Sequence, residues 1–325
     1  MKKRRWFVET VIGLGMIPLS AVPLWFYVTH TGDGYLMYLR ARYAISAPAT
    51  ARLPAWEYRW ARAHHGAPER GVAVLLYHGI GRAGSDAAAT RFVVPRNRFA
   101  EQMRALRAAG YRAITCRGLA RYLRTGSRAA LPAKPVLITF DDGRTDAMLQ
   151  GDSILKDTGM RATMFVIGAR TQQGSFYYVQ LGALRKYARN GRWELENHTY
   201  NLHFAENIGR FTHSALLDIH PGESIDAYRK RIASDLDKDQ RLLGNPIAFA
   251  YPYSDWGELA RPAARRTLAS LLHERFQVAF DQDFQREWRP ALPGDDPLHI
   301  HRLEVADWTG AQLIARLEQR AAAKG

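Results

Sequence analysis

The sequence predicts an α/β protein in which parallel strands, separated by helices, close into a barrel. Three observations carry this. Apolar strand segments recur from Val72 onward, helical periodicities lie between them, and glycines mark several of the junctions. Strands that alternate with helices pair in parallel, and this many units close naturally into a barrel with its site at the carboxyl ends of the strands.

The elements follow in order. Val72-Ala-Val-Leu-Leu-Tyr reads as a strand buried on both faces. Phe99, Met103, Leu106 and Ala109 share one helical face, and Gly110 ends that helix. A second strand is expected over 113–116 and a short helix over 118–123. A third strand over 135–140 runs straight into Asp141-Asp142-Gly143. A helix over 146–158 stops at Gly159, and a strand follows over 162–167. Residues 181–190 are helical, and Trp193-Glu194-Leu195-Glu196 leads to His198. The remaining units are a long helix over 224–243, a strand over 247–251 before Pro252, a helix over 263–275, strands over 278–280 and 299–303, and a closing helix from Gly310.

Ahead of the barrel, Lys2, Lys3, Arg4 and Arg5 precede a stretch over 11–28 with no charged residue, 18 residues long. That is near the lower limit for a membrane-spanning helix, although Pro18 and Pro23 would kink it. No Ala-x-Ala site follows, so an uncleaved signal anchor is favoured over a cleaved signal peptide. The basic cluster should stay in the cytoplasm. The expected division is residues 1–30 as basic cluster and anchor, 31–70 as a linker or juxtamembrane segment, and 71–325 as the catalytic domain. An inner-membrane anchor would leave that domain periplasmic or otherwise extracytoplasmic.

Lys and Arg number 46 against 31 Asp and Glu, a formal charge of +15. Such a balance suits nucleic acid, anionic lipid or an acidic polymer. Beyond the amino terminus no Arg/Lys block with interleaved aromatics occurs, so nucleic acid is not an expected partner. The single cysteine, Cys116, cannot form an intramolecular disulfide or a cysteine-built metal site. It reads as a buried structural thiol, which leaves any metal to histidine and carboxylate.

Three features at predicted strand ends carry chemistry. In Thr139-Phe-Asp141-Asp142-Gly143, adjacent carboxylates point in different directions, so one can bind a cation while the other faces a water. Alone, this would be an acidic turn before a helix. In His198-Thr-Tyr-Asn-Leu-His203, two histidines in a short loop can reach one metal. Phe249-Ala-Tyr251-Pro252-Tyr253 is an aromatic turn that could floor a sugar site, although such turns more often serve packing.

Taken in that order, these motifs resemble the polysaccharide deacetylase family (NodB homology, carbohydrate esterase family 4) over roughly residues 71–305. The resemblance implies an incomplete (β/α) barrel of the polysaccharide deacetylase type, here behind an N-terminal transmembrane helix. It implies one divalent metal held by Asp142, His198 and His203. Zinc suits these ligands best, and cobalt, nickel or iron also fit them. It further implies that Asp141 is the base that activates water, and that Tyr251, Pro252 and Tyr253 contact substrate.

Two departures refine the resemblance. The histidines stand five residues apart rather than four, and Leu75-Leu-Tyr-His78-Gly-Ile occurs early in the domain. Both resemble the branch that removes N-acetyl groups from poly-β-1,6-N-acetylglucosamine in biofilm matrices. In that branch the catalytic acid comes from the Tyr-His segment, here His78. Other members take it from a late motif, for which His301 competes; His78 is favoured. His299 and His301 flank Ile300 and share one strand face. The family's arginine ahead of Pro-Tyr is absent, and Arg302 is expected either to contact substrate or to brace an active-site carboxylate.

The expected function is metal-dependent removal of N-acetyl groups from an extracytoplasmic exopolysaccharide, with export machinery as a further partner. The alternatives are a deacetylase of peptidoglycan or another acetylated glycan (O-acetyl cleavage included), a non-catalytic glycan-binding subunit of an envelope export complex, and a tethered nucleic-acid-binding protein. Retention of Asp141, Asp142, His198 and His203 together argues against an idle subunit. No carboxy-terminal glycoside hydrolase domain is expected.

Overall fold

Strands and helices alternate along the chain from Ala73 onward. The computed structural model describes residues 71–81, 92–208, 211–258, 260–282 and 288–322. The basic cluster, anchor and linker expected over 1–70 lie outside the described residues. Among the described residues, no helix is long and apolar enough to cross a membrane.

In chain order the elements are β1 (Ala73–Tyr77), β2 (Gly79–Gly81), β3 (Val93–Pro95), α1 (Arg96–Ala108), β4 (Tyr111–Ala113), α2 (Cys116–Thr125), β5 (Lys134–Phe140) and α3 (Thr145–Thr158). They continue with β6 (Ala162–Val166), α4 (Leu181–Ala188), β7 (Trp193–Asn197), β8 (Ala205–Ile208), β9 (Phe211–Ser214), α5 (Ile225–Leu243) and β10 (Ala248–Ala250). The last are α6 (Pro262–Arg275), β11 (Val278–Asp281), β12 (Ile300–His301), β13 (Leu303–Glu304) and α7 (Gly310–Ala322).

The main sheet runs β12-β11-β10-β7-β6-β5-β1-β13, with β4 also on β5. Its pairings are parallel, as the alternating elements predict. Closure comes from the final strand segment. Ile300 and His301 pair with β11, whereas Leu303 and Glu304 pair with β1 at the opposite edge of the sheet. The result is a nearly closed barrel with Arg302 at its seam.

Strand alternation sends successive side chains to opposite faces. Val74, Leu137, Phe165, Ala250 and Phe280 fill the barrel interior with α2. Leu75, Ile138, Met164 and the helix residues Phe99, Met103, Met148 and Leu155 form the layer outside. There Tyr77 meets Phe99 and Phe140 with ring centroids 5.2 Å from each, and the Tyr77 hydroxyl donates to Gln102. Each such aromatic contributes about 1.5–3 kcal/mol through burial.

Two expectations are corrected, and two short pairings are new. The strand expected over 113–116 stops at Ala113, and Cys116 opens α2. The Thr115 side chain accepts from the Gly118 N–H and so caps a helix where apolar residues suggested a strand. The strand expected over 299–303 breaks at Arg302, where pairing transfers from one sheet edge to the other. The antiparallel β8–β9 hairpin and the β2–β3 pair went unpredicted, their strands being only three or four residues long. Cys116 is buried, as expected.

Candidate active site

The ladder between β1 and β5 continues one residue past β5, where the Asp141 N–H donates to the Tyr77 carbonyl. Asp141 therefore keeps the strand alternation and joins Leu137 and Thr139 on the inward face. Asp142 then turns, at φ 75°, into the left-handed region that few non-glycine residues adopt. This turn separates the two carboxylates. Asp141 is buried in the barrel mouth, while Asp142 is partly exposed beside it.

Arg302 meets Asp141 from the seam. Its Nη1 and Nη2 donate to the two carboxylate oxygens at 2.7 and 2.8 Å, a bidentate pair with both partners buried. Burial would raise the pKa of Asp141. The Arg302 guanidinium, assisted by His198 and His78, outweighs burial and lowers it to about 2. Asp141 is therefore ionised throughout the neutral range. Arg302 lies behind this carboxylate, 1% exposed, and does not line the cavity.

His198 extends β7 as Asp141 extends β5, its N–H donating to the Val166 carbonyl. Its Nδ1 lies 2.8 Å from the Ala250 carbonyl, which leaves Nε2 facing the carboxylates. That Nε2 is 3.8 Å from Asp142 Oδ1 and 3.9 Å from Asp141 Oδ2. His203 Nε2 lies 3.6 Å from the same Asp142 oxygen. These separations are too long for hydrogen bonds but suit ligands sharing an ion bound at ~2.0–2.2 Å. One ligand atom each from Asp142, His198 and His203 falls within 4.8 Å of the others. Burial lowers the pKa of both histidines, that of His203 to about 4, so both imidazoles are neutral and able to donate a lone pair. The donor set fits a divalent cation.

A cavity of about 400 Å³ opens over this group and is lined by Asp141, Asp142, His198 and His203. His78, which follows β1, is on its wall with its ring 4.9 Å from that of Phe92. His301 is elsewhere: its Nδ1 lies 3.3 Å from Asp281 Oδ1, and that of His299 lies 3.3 Å from Asp281 Oδ2. Burial would raise the pKa of Asp281, and the two histidines instead lower it to about 2. Tyr251 and Tyr253 both line the cavity. Tyr251 is buried, whereas Tyr253 is 54% exposed with its ring 4.8 Å from that of His203. Pro252, between them, is buried.

Sequence reasoning missed Arg144, Tyr177 and Gln282, all on the cavity wall. The position of Arg144 directly after Asp141-Asp142-Gly143 was a usable signal; Tyr177 and Gln282 had none. Arg144 donates to the Tyr177 hydroxyl and to Asp146. Glu194 and Glu196 also face inward but lie deeper and outside the cavity. Glu194 accepts from the Cys116 N–H at 2.7 Å and Glu196 from the Ala248 N–H at 2.7 Å.

The sequence matches the polysaccharide deacetylase family over residues 128–269. It is 22% identical over 266 residues to a poly-β-1,6-N-acetyl-D-glucosamine N-deacetylase of Staphylococcus aureus, an alignment covering 76% of this chain and 83% of the relative. Among solved structures, IcaB from Ammonifex degensii superposes with a TM-score of 0.57 at 25% identity, over 77% of this chain and 97% of that one. A de-N-acetylase from Aggregatibacter actinomycetemcomitans superposes with a TM-score of 0.61 at 18% identity, over 76% and 99% of the two chains. The nearly closed parallel barrel is thus the fold of these deacetylases, and within it residues 128–269 are similar to the polysaccharide deacetylase family.

Proposed function

We propose that this protein is a metal-dependent de-N-acetylase of an extracytoplasmic exopolysaccharide, poly-β-1,6-N-acetylglucosamine or a close relative of it. The observation that carries the reading is the pairing of an Arg302-clamped Asp141 with a three-ligand group, Asp142, His198 and His203, in one cavity. The named relative supplies the substrate class.

A divalent cation held by Asp142, His198 and His203 would polarise the acetyl carbonyl and acidify water. The chain's own residues do the rest. Asp141, kept ionised and oriented by Arg302, accepts the proton of the attacking water. His78, from the cavity wall, delivers a proton to the departing amine nitrogen as the C–N bond breaks. Tyr253, the exposed ring beside His203, and the buried Tyr251 bound the space for the sugar. The products are acetate and a glucosamine unit. In this reading the basic cluster and apolar segment ahead of the domain hold it at the outer face of the inner membrane, within reach of polymer emerging from export machinery.

The test is acetate release from β-1,6-linked N-acetylglucosamine oligomers by the full chain in detergent. Release should be lost on chelation, return with zinc or cobalt, and be absent in Asp141→Asn. Undiminished release after exhaustive chelation would sink the metal-dependent reading. No release from this glycan alongside release from peptidoglycan fragments would move the substrate.

A further inference from the structure

The five-residue spacing of His198 and His203 forces an extra residue into the loop between them, and a carboxylate from elsewhere in the chain holds that loop in place. Asp235 lies on α5, 32 positions beyond His203 and outside the cavity lining. Its Oδ1 accepts the Tyr200 N–H at 2.8 Å and its Oδ2 accepts the Asn201 N–H at 2.8 Å. The two loop residues midway between the histidines thus share one carboxylate, each on its own oxygen.

The rest of the loop backbone is equally constrained. Thr199 takes φ 71°, a left-handed turn that reverses the chain immediately after His198, and its N–H donates to Asn197 Oδ1 at 2.8 Å. The Thr199 and Tyr200 carbonyls accept from the Gly168 and Ala169 N–H groups at 3.1 and 2.7 Å. Lys238, one turn along α5 from Asp235, places its ammonium 3.7 Å from the centre of the Tyr200 ring. Gly168 can approach this closely only because it lacks a side chain. A Cβ there would collide with Asp239 and come within 2.9 Å of the Tyr200 ring. A loop of this length would otherwise sample many conformations, each separating the two imidazoles differently. Fixing it beforehand removes that ordering cost from ion binding.

We infer that Asp235 is a positioning residue for the metal site, presetting the distance between His198 and His203 through the Tyr200 and Asn201 amides. The inference rests on the reading that Asp142, His198 and His203 hold a divalent cation. Outer groups that orient metal ligands contribute roughly tenfold to a hundredfold in metal affinity, and Asp235 should fall in that range although it acts through the loop rather than on an imidazole.

The experiment is zinc titration of the full chain against a chromogenic chelator, comparing the unaltered protein with Asp235→Ala, Asp235→Asn and Asp237→Asn. Asp237 is on the same helix but pairs with Arg275, so its variant controls for charge loss on α5. The expected result is one zinc per unaltered chain, a dissociation constant at least about tenfold weaker in Asp235→Ala, a smaller loss in Asp235→Asn, and no change in Asp237→Asn. Melting of the metal-free proteins is measured alongside. While a variant remains folded, loss of global stability alone leaves its dissociation constant unmoved, so a purely structural role would lower the melting temperature without weakening zinc. Unaltered affinity in folded Asp235→Ala overturns the inference, and if that variant does not fold, unaltered affinity in Asp235→Asn does so. Failure of the unaltered chain to bind zinc or cobalt would instead remove the metal reading on which it rests.

Discussion

Two histidine pairs sit at strand ends of this barrel, each beside an aspartate, and they are built for different purposes. His198 and His203 turn their Nε2 atoms toward one oxygen of Asp142, at 3.8 and 3.6 Å. His299 and His301 turn their Nδ1 atoms toward separate oxygens of Asp281, each at 3.3 Å. Convergence on one point at more than hydrogen-bond distance leaves room for an ion. Division between two oxygens satisfies a carboxylate instead. Neighbouring groups reinforce the contrast. The Ala250 carbonyl occupies His198 Nδ1 and aims the ring at the cavity, while Tyr251 stacks on His299 with centroids 5.9 Å apart and planes within 5°. Identical residue types thus leave a gap the size of an ion or clamp a carboxylate, according to which ring nitrogen the fold has already engaged.

The largest expected effect tests that contrast directly. His198→Ala should lose stoichiometric metal and all acetate release, whereas His299→Ala should keep its metal; elemental analysis of the purified proteins decides. Metal loss in both would erase the distinction. Next, His78→Ala should lower kcat by roughly 10²- to 10⁴-fold with metal retained, the range for a proton-transfer group. His301→Ala should cost less than about tenfold. The opposite ranking would place the acid on the Asp281 side of the barrel.

A smaller effect concerns the seam. Arg302→Met would leave the Asp141 carboxylate buried without its bidentate partner. Breaking a buried pair on one side costs about 3–5 kcal/mol, so denaturant unfolding should register a loss of that order. A loss under about 1 kcal/mol would mean that water or a neighbour takes over the carboxylate.

The smallest effect sharpens the other pair. The folded pKa of Asp281, about 2, lies below the unfolded value of about 3.9. Its contribution to stability is therefore complete above about pH 4 and is lost as pH falls toward about 2. Between those limits the unaltered protein should lose about 2 kcal/mol more stability than Asp281→Asn. Parallel acid limbs for the two proteins would show that the histidines do not hold that carboxylate.

Much of the site is legible in the sequence because its residues stand at the ends of predicted strands. Asp141 and Asp142 directly follow the apolar run of β5, His198 directly follows β7, and in a parallel barrel all strands end on the same side. Arg302 is harder. The sequence marks it as a substrate contact or a brace for a carboxylate, and only the splitting of the last strand between β11 and β1 puts its guanidinium behind Asp141. Cys116 reads as a strand residue because a capping threonine three residues ahead of Gly118 is a weak signal against an apolar run. Asp235 leaves no local mark at all, since a carboxylate on the polar stripe of a helix looks like any solvated residue.

By itself, then, the sequence determined the alternation of strand and helix, the parallel sheet, and the chemical types gathered at its carboxyl end. Periodicity and strand-end position are local properties, encoded within short stretches of chain. Tertiary structure alone decided which histidine pair converges on a point, which arginine fixes the Asp141 carboxylate, and which helix holds the loop between His198 and His203. Those choices depend on contacts between distant segments, as between Asp141 and Arg302, 161 positions apart. Spacing along the chain carries no record of which segments barrel closure brings together.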